Sequence, residues 1–588
     1  MSFYIGKCVP SRTISMQEQI TEYKRQHNKN PLIIIDLMYF DQLGGYLHRN
    51  DVAGKMRDLC GISRCRVKEI EKFVSDLKQY GAELIFMTNG AFFDISGQIV
   101  PDEDDAKDSS KDWRYDLQTK IIEYLDNSHY SQVAADAKFI PIERVWTESL
   151  AKIARKYGKV LWAWDNSRHQ EIAKYACVHN AMAIISKNYT LLLYSGSDFP
   201  KYKFWSMADC STAKMETAEY DPLIVRRTLR LTSKQSRLLA AIYDWYNGST
   251  TFYGFLERIK VPNTSRTLFR DITAYVKKTA GNLQELDYLK IARDLFGEQK
   301  YIDKFADFKT VCNGYNVDAI VLSSEQNNDS ISAQLKRQDS FNYDIFHGIA
   351  FTCSISFVDY RYWQDHGIDF HEIVISLYQR ICGVILQHKK DQSLTRYVNI
   401  KRTHTELYMM SELKPEYPAD LIIPSLDYMF LLTGQALTSI PDFNVCLLEF
   451  VTGLVLDRTV LNFFTRTDQR SYLQDSVTLA YMVALRMIDK FEADIFMLAI
   501  HTCRWDLDEE VALPDNVNLR AFHLYYTYVK MRTLVKHSFY CAGLDESFMD
   551  ENYLDGAVFQ HMFQKFTAEG DTAEFNQNIC QIIRYRLY

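Results

Sequence analysis

The sequence predicts an α/β domain, a mostly parallel sheet flanked by helices, followed by a largely α-helical C-terminal region. Two observations carry this. Up to about residue 260, short apolar runs that end in polar residues alternate with stretches of helical period. From residue 346 onward, long amphipathic stretches recur. The centre of the first pattern is residues 160–194, which read as strand, helix, strand, the form of a βαβ unit. In a parallel sheet the carboxyl ends of the strands are where sites are built.

The elements follow in order. Residues 14–26 read as a helix stopped by a polar His-Asn-Lys-Asn. Residues 31–36, Pro-Leu-Ile-Ile-Ile-Asp, read as a buried first strand that delivers Asp36 to the sheet's carboxyl edge. Residues 64–80 place Val67, Ile70, Phe73, Val74 and Leu77 at helical spacing, and residues 82–90 form the next strand. Residues 101–113 carry six acidic side chains against two lysines, a solvated loop by composition. After a helix at 143–157 comes the central unit: strand 160–164, helix 168–178 with Ile172, Ala173, Tyr175 and Ala176 inward, and strand 181–185. A polar turn at 186–190 follows before the apolar run resumes at 191–194. Residues 204–207 read as a further sheet element and 225–231 as a short helix. Residues 283–322 are mixed helix and 323–344 a polar linker. Helical stretches follow at 371–387, 424–437, 445–464, 472–491, 494–503, 519–537 and 576–586, with no repeat of fixed period. This divides the chain into 1–260, a helical connector and linker at 261–345, and a helical domain at 346–588.

With 588 residues, 47% of them hydrophobic and 14% aromatic, the chain can bury more than one core. A formal charge of −7 supplies no global basic field, so any contact with nucleic acid must be local. Twelve scattered cysteines with no C-x-x-C pair read as reduced thiols of the cytosol or nucleus. No signal core opens the sequence, Ser2 excludes myristoylation, and no apolar run reaches the roughly 20 residues that span a bilayer. The expectation is a protein with no membrane contact, in the cytoplasm or its RNA granules, with the nucleus as the alternative.

Several segments carry a resemblance: Glu171-Ile-Ala-Lys-Tyr175, then His179-Asn180 and the Leu-Leu-Tyr close at 192–194, with Phe139-Ile-Pro-Ile142 upstream and residues 377–386, LYQRICGVIL, downstream. They resemble the nuclease-like domain of the constitutive coactivators of PPAR-gamma and the related Asteroid proteins, within the flap endonuclease/XPG (PIN-like) superfamily. The resemblance covers roughly the first 260 residues and the rest in outline. It implies a PIN/FEN-like fold, an arch loop at about 94–115 that is here acidic, and a degenerate active site. Two-metal hydrolysis of a phosphodiester needs several converging carboxylates around ions roughly 4 Å apart. Residue by residue, Asp36 and Glu171 stay acidic. Asn89 stands for one aspartate, Ser167 and His169 for two acidic positions on the helix, and Asn188 and Thr190 for two in the turn, with Lys187 before them. Tyr246 stands for the last, with Asp244 two positions away. The implied site is vestigial, with no catalytic residue, no metal and no cofactor. Residues 250–259 also lack the repeated glycines with which the nucleases hold duplex DNA. His169 has two readings: with Asp36 and Glu171 it composes a set for one metal, or it fills a vacated pocket by hydrogen bonding to one of them.

The resemblance implies an inactive pseudonuclease acting as a scaffold or RNA-binding adaptor in post-transcriptional regulation or small-RNA silencing. Its partners would be proteins of an RNA-regulatory or Argonaute-pathway complex. A metal-dependent nuclease with a rearranged site and a purely structural protein-interaction module are the alternatives. One basic interval suits single-stranded RNA by charge and stacking: Lys389, Lys390, Arg396, Tyr397, Lys401 and Arg402. A solvated loop between helices is its other reading.

Overall fold

A computed structural model describes residues 5–6, 8–37, 64–89, 150, 153–163, 167–197, 200–244, 250–262, 267–280, 285–322, 335, 340–348, 351–353, 360–389, 395–400, 409–426, 429, 441–456, 458–465, 470–504, 517–544, 546–549 and 554–569. The first half is built on a seven-stranded sheet. Its strands are β1 (Arg12–Ser15), β2 (Leu32–Asp36), β3 (Glu83–Asn89), β4 (Lys159–Ala163), β5 (Ala183–Ser186), β6 (Lys203–Ser206) and β7 (Glu216–Tyr220), in the order β1-β7-β6-β5-β2-β3-β4. The five strands from β6 to β4 run parallel, while β7 and β1 are added antiparallel at one edge.

β2 shows why the apolar run is unbroken. Ile33 and Ile35 enter one buried cluster and Ile34 another, so successive side chains serve the cores on opposite faces. The first face is covered by α1 (Met16–His27) and α2 (Arg64–Gln79), through Ile20, Val67, Phe73 and Leu77. The other is covered by α3 (Arg168–Val178), through Ile172, Ala173 and Ala176.

Local chemistry moves several predicted boundaries. The helix expected from residue 14 starts at Met16, because the Ser15 hydroxyl accepts the Glu18 amide as a cap and Ile14 and Ser15 pair with β7. The apolar run at 191–194 does not resume the strand. Asn188 accepts the Thr190 amide and starts a 3₁₀ turn, Tyr189–Leu192, with Leu191 fully buried.

The helices that follow are α4 (Pro222–Leu229), α5 (Ser233–Asp244), α6 (Thr250–Arg258), α7 (Leu268–Thr279), α8 (Glu285–Phe296) and α9 (Tyr301–Gly314). Leu238, Phe255, Ile272, Ile291 and Phe308 share one cluster with Ile172 and Ile34. Of residues 261–322, read from the sequence as a connector, Leu268, Ile272, Ile291 and Phe308 thus pack into a core of the sheet. The chain is tied back at its end: Ser195 and Asn316 form a β-bridge, and the Ser197 amide donates to Asp318 at 2.5 Å.

A separate cluster spans Leu335 to Phe563. Its first helix is α10 (Ser340–His347), which starts inside the stretch the sequence reads as linker; Phe341 and Ile345 are buried on it. The region is not purely helical. β8 (Phe351–Cys353), β9 (Arg396–Ile400) and β10 (Met409–Leu413) form a small sheet in the order β10-β9-β8, beside α11 (Phe370–Ile385). The stretch expected at 445–464 breaks after α12 (Pro441–Thr452), where Gly453 takes φ 70°. That at 472–491 ends with α13 (Leu473–Ala484), where Arg486 takes φ 58°. Beyond lie α14 (Lys490–Arg504), α15 (Leu519–Cys541) and α16 (Gly556–Glu569). The stretch at 576–586 and most of 424–437 lie outside the described residues. Among the described residues, no helix is long and apolar enough to cross a membrane.

Gly383 lets α11 closely approach the chain that follows β10: a Cβ there would overlap the Glu416 carbonyl and press on the Tyr417 amide, both backbone. Gly383→Ala is expected to lower stability by about 1–3 kcal/mol, read by thermal melting, since backbone must shift to admit the methyl.

Candidate functional site

The site is set at the carboxyl end of β2. Asp36 is the last residue of that strand and fully buried, with β3 and β5 on either side. β5 ends in Ser186, whose Oγ donates to Asp36 Oδ2 at 2.7 Å. Opposite, α3 opens on a capping box: the Ser167 hydroxyl accepts the Gln170 amide, and the Gln170 side chain accepts the Ser167 amide at 2.9 Å. The box fixes the first turn of the helix, and with it Arg168 and His169.

Arg168 meets Asp36 directly. Its Nε lies 2.6 Å from Asp36 Oδ1, and its side chain is 6% exposed. His169 Nε2 lies 3.5 Å from Asp36 Oδ2, and Arg168 Nη2 is 3.2 Å from the same ring nitrogen. The Asn188 side-chain nitrogen sits 3.0 and 3.1 Å from the two ring nitrogens. The Asn188 backbone amide donates to Ser186 Oγ, and its Oδ1 accepts both the amide and the hydroxyl of Thr190. The result is one buried cluster in which both oxygens of Asp36 are engaged.

Electrostatics follow from this packing. Burial pushes the Asp36 carboxyl up, but the Arg168 guanidinium, followed by His169 and Ser186, outweighs it and holds the group below its ordinary value. Burial, and then the neighbouring Arg168, depress the His169 pKa; Asp36 pulls it up but is outweighed, so the net shift favours a neutral imidazole.

The donor set does not fit a divalent metal. A hard cation needs free carboxylate oxygens, and here a guanidinium already lies against the carboxylate at the strand end. Among the described residues, no group of three or more His, Cys, Asp or Glu side chains is placed to hold a metal ion.

No family model matches the sequence, and no curated protein matches it. Solved structures do. They align at low identity and low TM-score. The Holliday junction-resolving enzyme GEN1, in complex with product DNA and Mg²⁺, matches at 10% identity and a TM-score of 0.27, over 52% of this chain and 66% of that one. Human GEN1 with Holliday junction DNA matches at 11% and 0.28, over 54% and 65%. The catalytic core of Rad2 with a DNA substrate matches at 10% and 0.28, over 54% and 86%. The match thus spans just under two thirds of either GEN1 chain. All three TM-scores lie below 0.5, and the site is read from its own residues.

On this sheet the predicted positions separate. Asp36, His169 and Asn188 come together. Thr190 bonds to Asn188, one step back from the carboxylate. Ser167 is exposed and serves as the helix cap, and Glu171 is fully buried on α3. Asn89 closes β3 and Asp244 closes α5, while Tyr246 and the loop at 94–115 lie outside the described residues.

The basic interval is corrected in part. It contains a strand, β9, where one of the two readings was a solvated loop between helices. Arg396 is 8% exposed, with Nε donating to the Ile345 carbonyl at 2.5 Å and Nη1 to the Thr395 carbonyl at 3.1 Å, so it supports the fold from within. Tyr397, next along the strand, is 43% exposed. Lys389 ends a 3₁₀ turn, and Lys390, Lys401 and Arg402 lie outside the described residues.

The residue that sequence reasoning missed is Arg168. Its signal was present: a cation in the first turn of a helix opposes the helix dipole, so it needs an anion nearby. Asp36 is that anion.

Proposed function

We propose that this chain is a non-cleaving member of the nuclease fold, working as a scaffold or RNA-binding adaptor in post-transcriptional regulation, in the manner of the coactivator and Asteroid proteins it resembles. The observation that carries the non-cleaving part is the Arg168–Asp36 pair at 2.6 Å in the interior. Two Mg²⁺ ions require several carboxylates to offset their charge. Asp36, the acid at the end of β2, is neutralised by a side chain that cannot lose its proton. A divalent ion entering here would have to displace a buried guanidinium and tolerate its charge. The adaptor part is supported by the segments at 139–142, 171–175 and 377–386 that resemble the coactivators, with RNA-regulatory or Argonaute-pathway proteins as the expected company.

The test pairs two assays. Incubated with flap DNA, junction DNA and single-stranded RNA in Mg²⁺ or Mn²⁺, the purified protein is expected to leave all three intact. Cleavage that disappears in Asp36→Ala would sink the reading. Affinity capture from native cells with crosslinked RNA should recover RNA or proteins of RNA-regulatory complexes; capture of neither would remove the adaptor role.

A further inference from the structure

In a chain of net charge −7, residues 222–243 contain no Asp or Glu, yet hold Arg226, Arg227, Arg230, Lys234 and Arg237. The structure gathers them at one corner. α4 ends in its basic last turn, Arg230 and two further residues make the turn, and α5 begins. Arg226 Nη1 donates to Ser233 Oγ at 3.2 Å, which holds the last turn of α4 against the first of α5. Arg227, Arg230 and Lys234 are exposed, as are Thr228 and Thr232, while Arg226 and Arg237 are half-buried. Among the described residues, neither Arg227, Arg230 nor Lys234 forms an ion pair with a carboxylate.

Folding alone does not account for these charges. Arg226 and Arg227 suit the carboxyl end of the α4 dipole. Arg230 and Lys234 do not suit their positions. Arg230 closes α4 in the left-handed region, φ 51°, where glycine or asparagine fits best. Lys234 lies in the first turn of α5, beside the Thr232–Gln235 capping box, where an acid would favour the helix. Arg226, crowded by Arg227, has its pKa depressed by burial and by that neighbour's charge.

We propose that this corner is a docking surface for the phosphodiester backbone of a nucleic acid, which it holds without reading sequence. The inference deepens the adaptor reading and rests on it, since the strand must be held uncut. Arginine forks match phosphate oxygens in pairs, and exposed threonine hydroxyls are ordinary phosphate donors. A protein partner would draw on a centre of aromatic or large apolar side chains. Here the exposed large hydrophobic is Ile224 alone among residues 222–237. A phosphate backbone needs none, because its affinity comes from counterion release.

The experiment titrates the full chain into fluorescein-labelled oligo(U) of about 20 nucleotides, and into oligo(dT) of the same length, from about 50 to 200 mM salt. The comparison is a triple Arg227→Glu, Arg230→Glu, Lys234→Glu variant, with circular dichroism as the check on folding and Arg230→Gly/Lys234→Gln as a milder pair. Wild type is expected to bind both oligomers with salt-weakened affinity. In the triple variant, binding should fall at least about tenfold and the log–log salt slope should shrink by about 2, roughly 0.7 for each single-strand phosphate that no longer has a cation beside it. Weaker binding by both variants supports the surface, and equal weakening for RNA and DNA supports backbone holding. Unchanged affinity in a folded triple variant overturns the proposal. So does no binding by wild type, or displacement of the oligomer by polyglutamate at equal charge, which would point to an acidic protein. Cleavage of the probe would overturn the non-cleaving reading alone and leave the salt slope to judge the corner.

Discussion

Arg168→Met is expected to cost about 3–5 kcal/mol of stability, read by urea unfolding, because it strands a buried carboxylate without its counter-charge. The companion variant tests the cause. Asp36→Asn in the Arg168→Met background should recover much of the loss, since a neutral amide has no charge to desolvate and still accepts from Ser186 Oγ. A loss below about 1 kcal/mol in the single variant, the size typical of an exposed pair, would rule out a buried role. The pH dependence has a definite sign in wild type. The native Asp36 carboxyl titrates below its unfolded value of about 3.9, so its contribution is present above that value and is lost as pH falls through the native pKa. In the double variant this acid-side loss should be diminished.

Asp475→Ala should have a similarly large effect in the second core. Asp475 lies on α13 and is 1% exposed. Its Oδ1 accepts from Tyr528 Oη at 2.6 Å and from Arg532 Nε at 2.7 Å, both on α15, and the Arg532 side chain is 14% exposed. Removing the carboxylate takes one charged acceptor from a nearly buried guanidinium and a buried hydroxyl, for an expected loss of about 3–5 kcal/mol by chemical denaturation. Asp475→Asn, which keeps an acceptor and removes the charge, should lose less. Equal losses for the two variants would show that the charge is not what matters.

How much of this was legible depended on whether a residue's environment is local. β2 and α3 could be read because an unbroken apolar run and a capped helical repeat each state their burial in a few consecutive residues. β7 could not: Glu216–Tyr220 buries Thr217 and Glu219, and what makes burial of Glu219 tolerable is Trp205 Nε1 at 3.0 Å and Arg12 Nε at 2.9 Å, one of them 207 positions away. Arg396 was read as solvated for the same reason, since its carbonyl partner on Ile345 is 51 positions back. At the site, matching positions to acids found Asp36 and the substituted His169 and Asn188. It passed over Arg168, whose importance is a charge balance between a strand end and a helix start that only the βαβ packing brings together.

The return of the chain from Ser195 to Asn316 and from Ser197 to Asp318 bears on synthesis as well as on shape. β1 has no partner until Glu216–Tyr220 emerges, and the cluster that contains Ile34 is still missing Ile291 and Phe308 when residue 260 is made. A nascent chain paused there would present apolar helix faces to the ribosome exit and to chaperones. The cluster on this face of the sheet can close only once translation has passed residue 320, whereas the cluster on the opposite face has all its members by Met215.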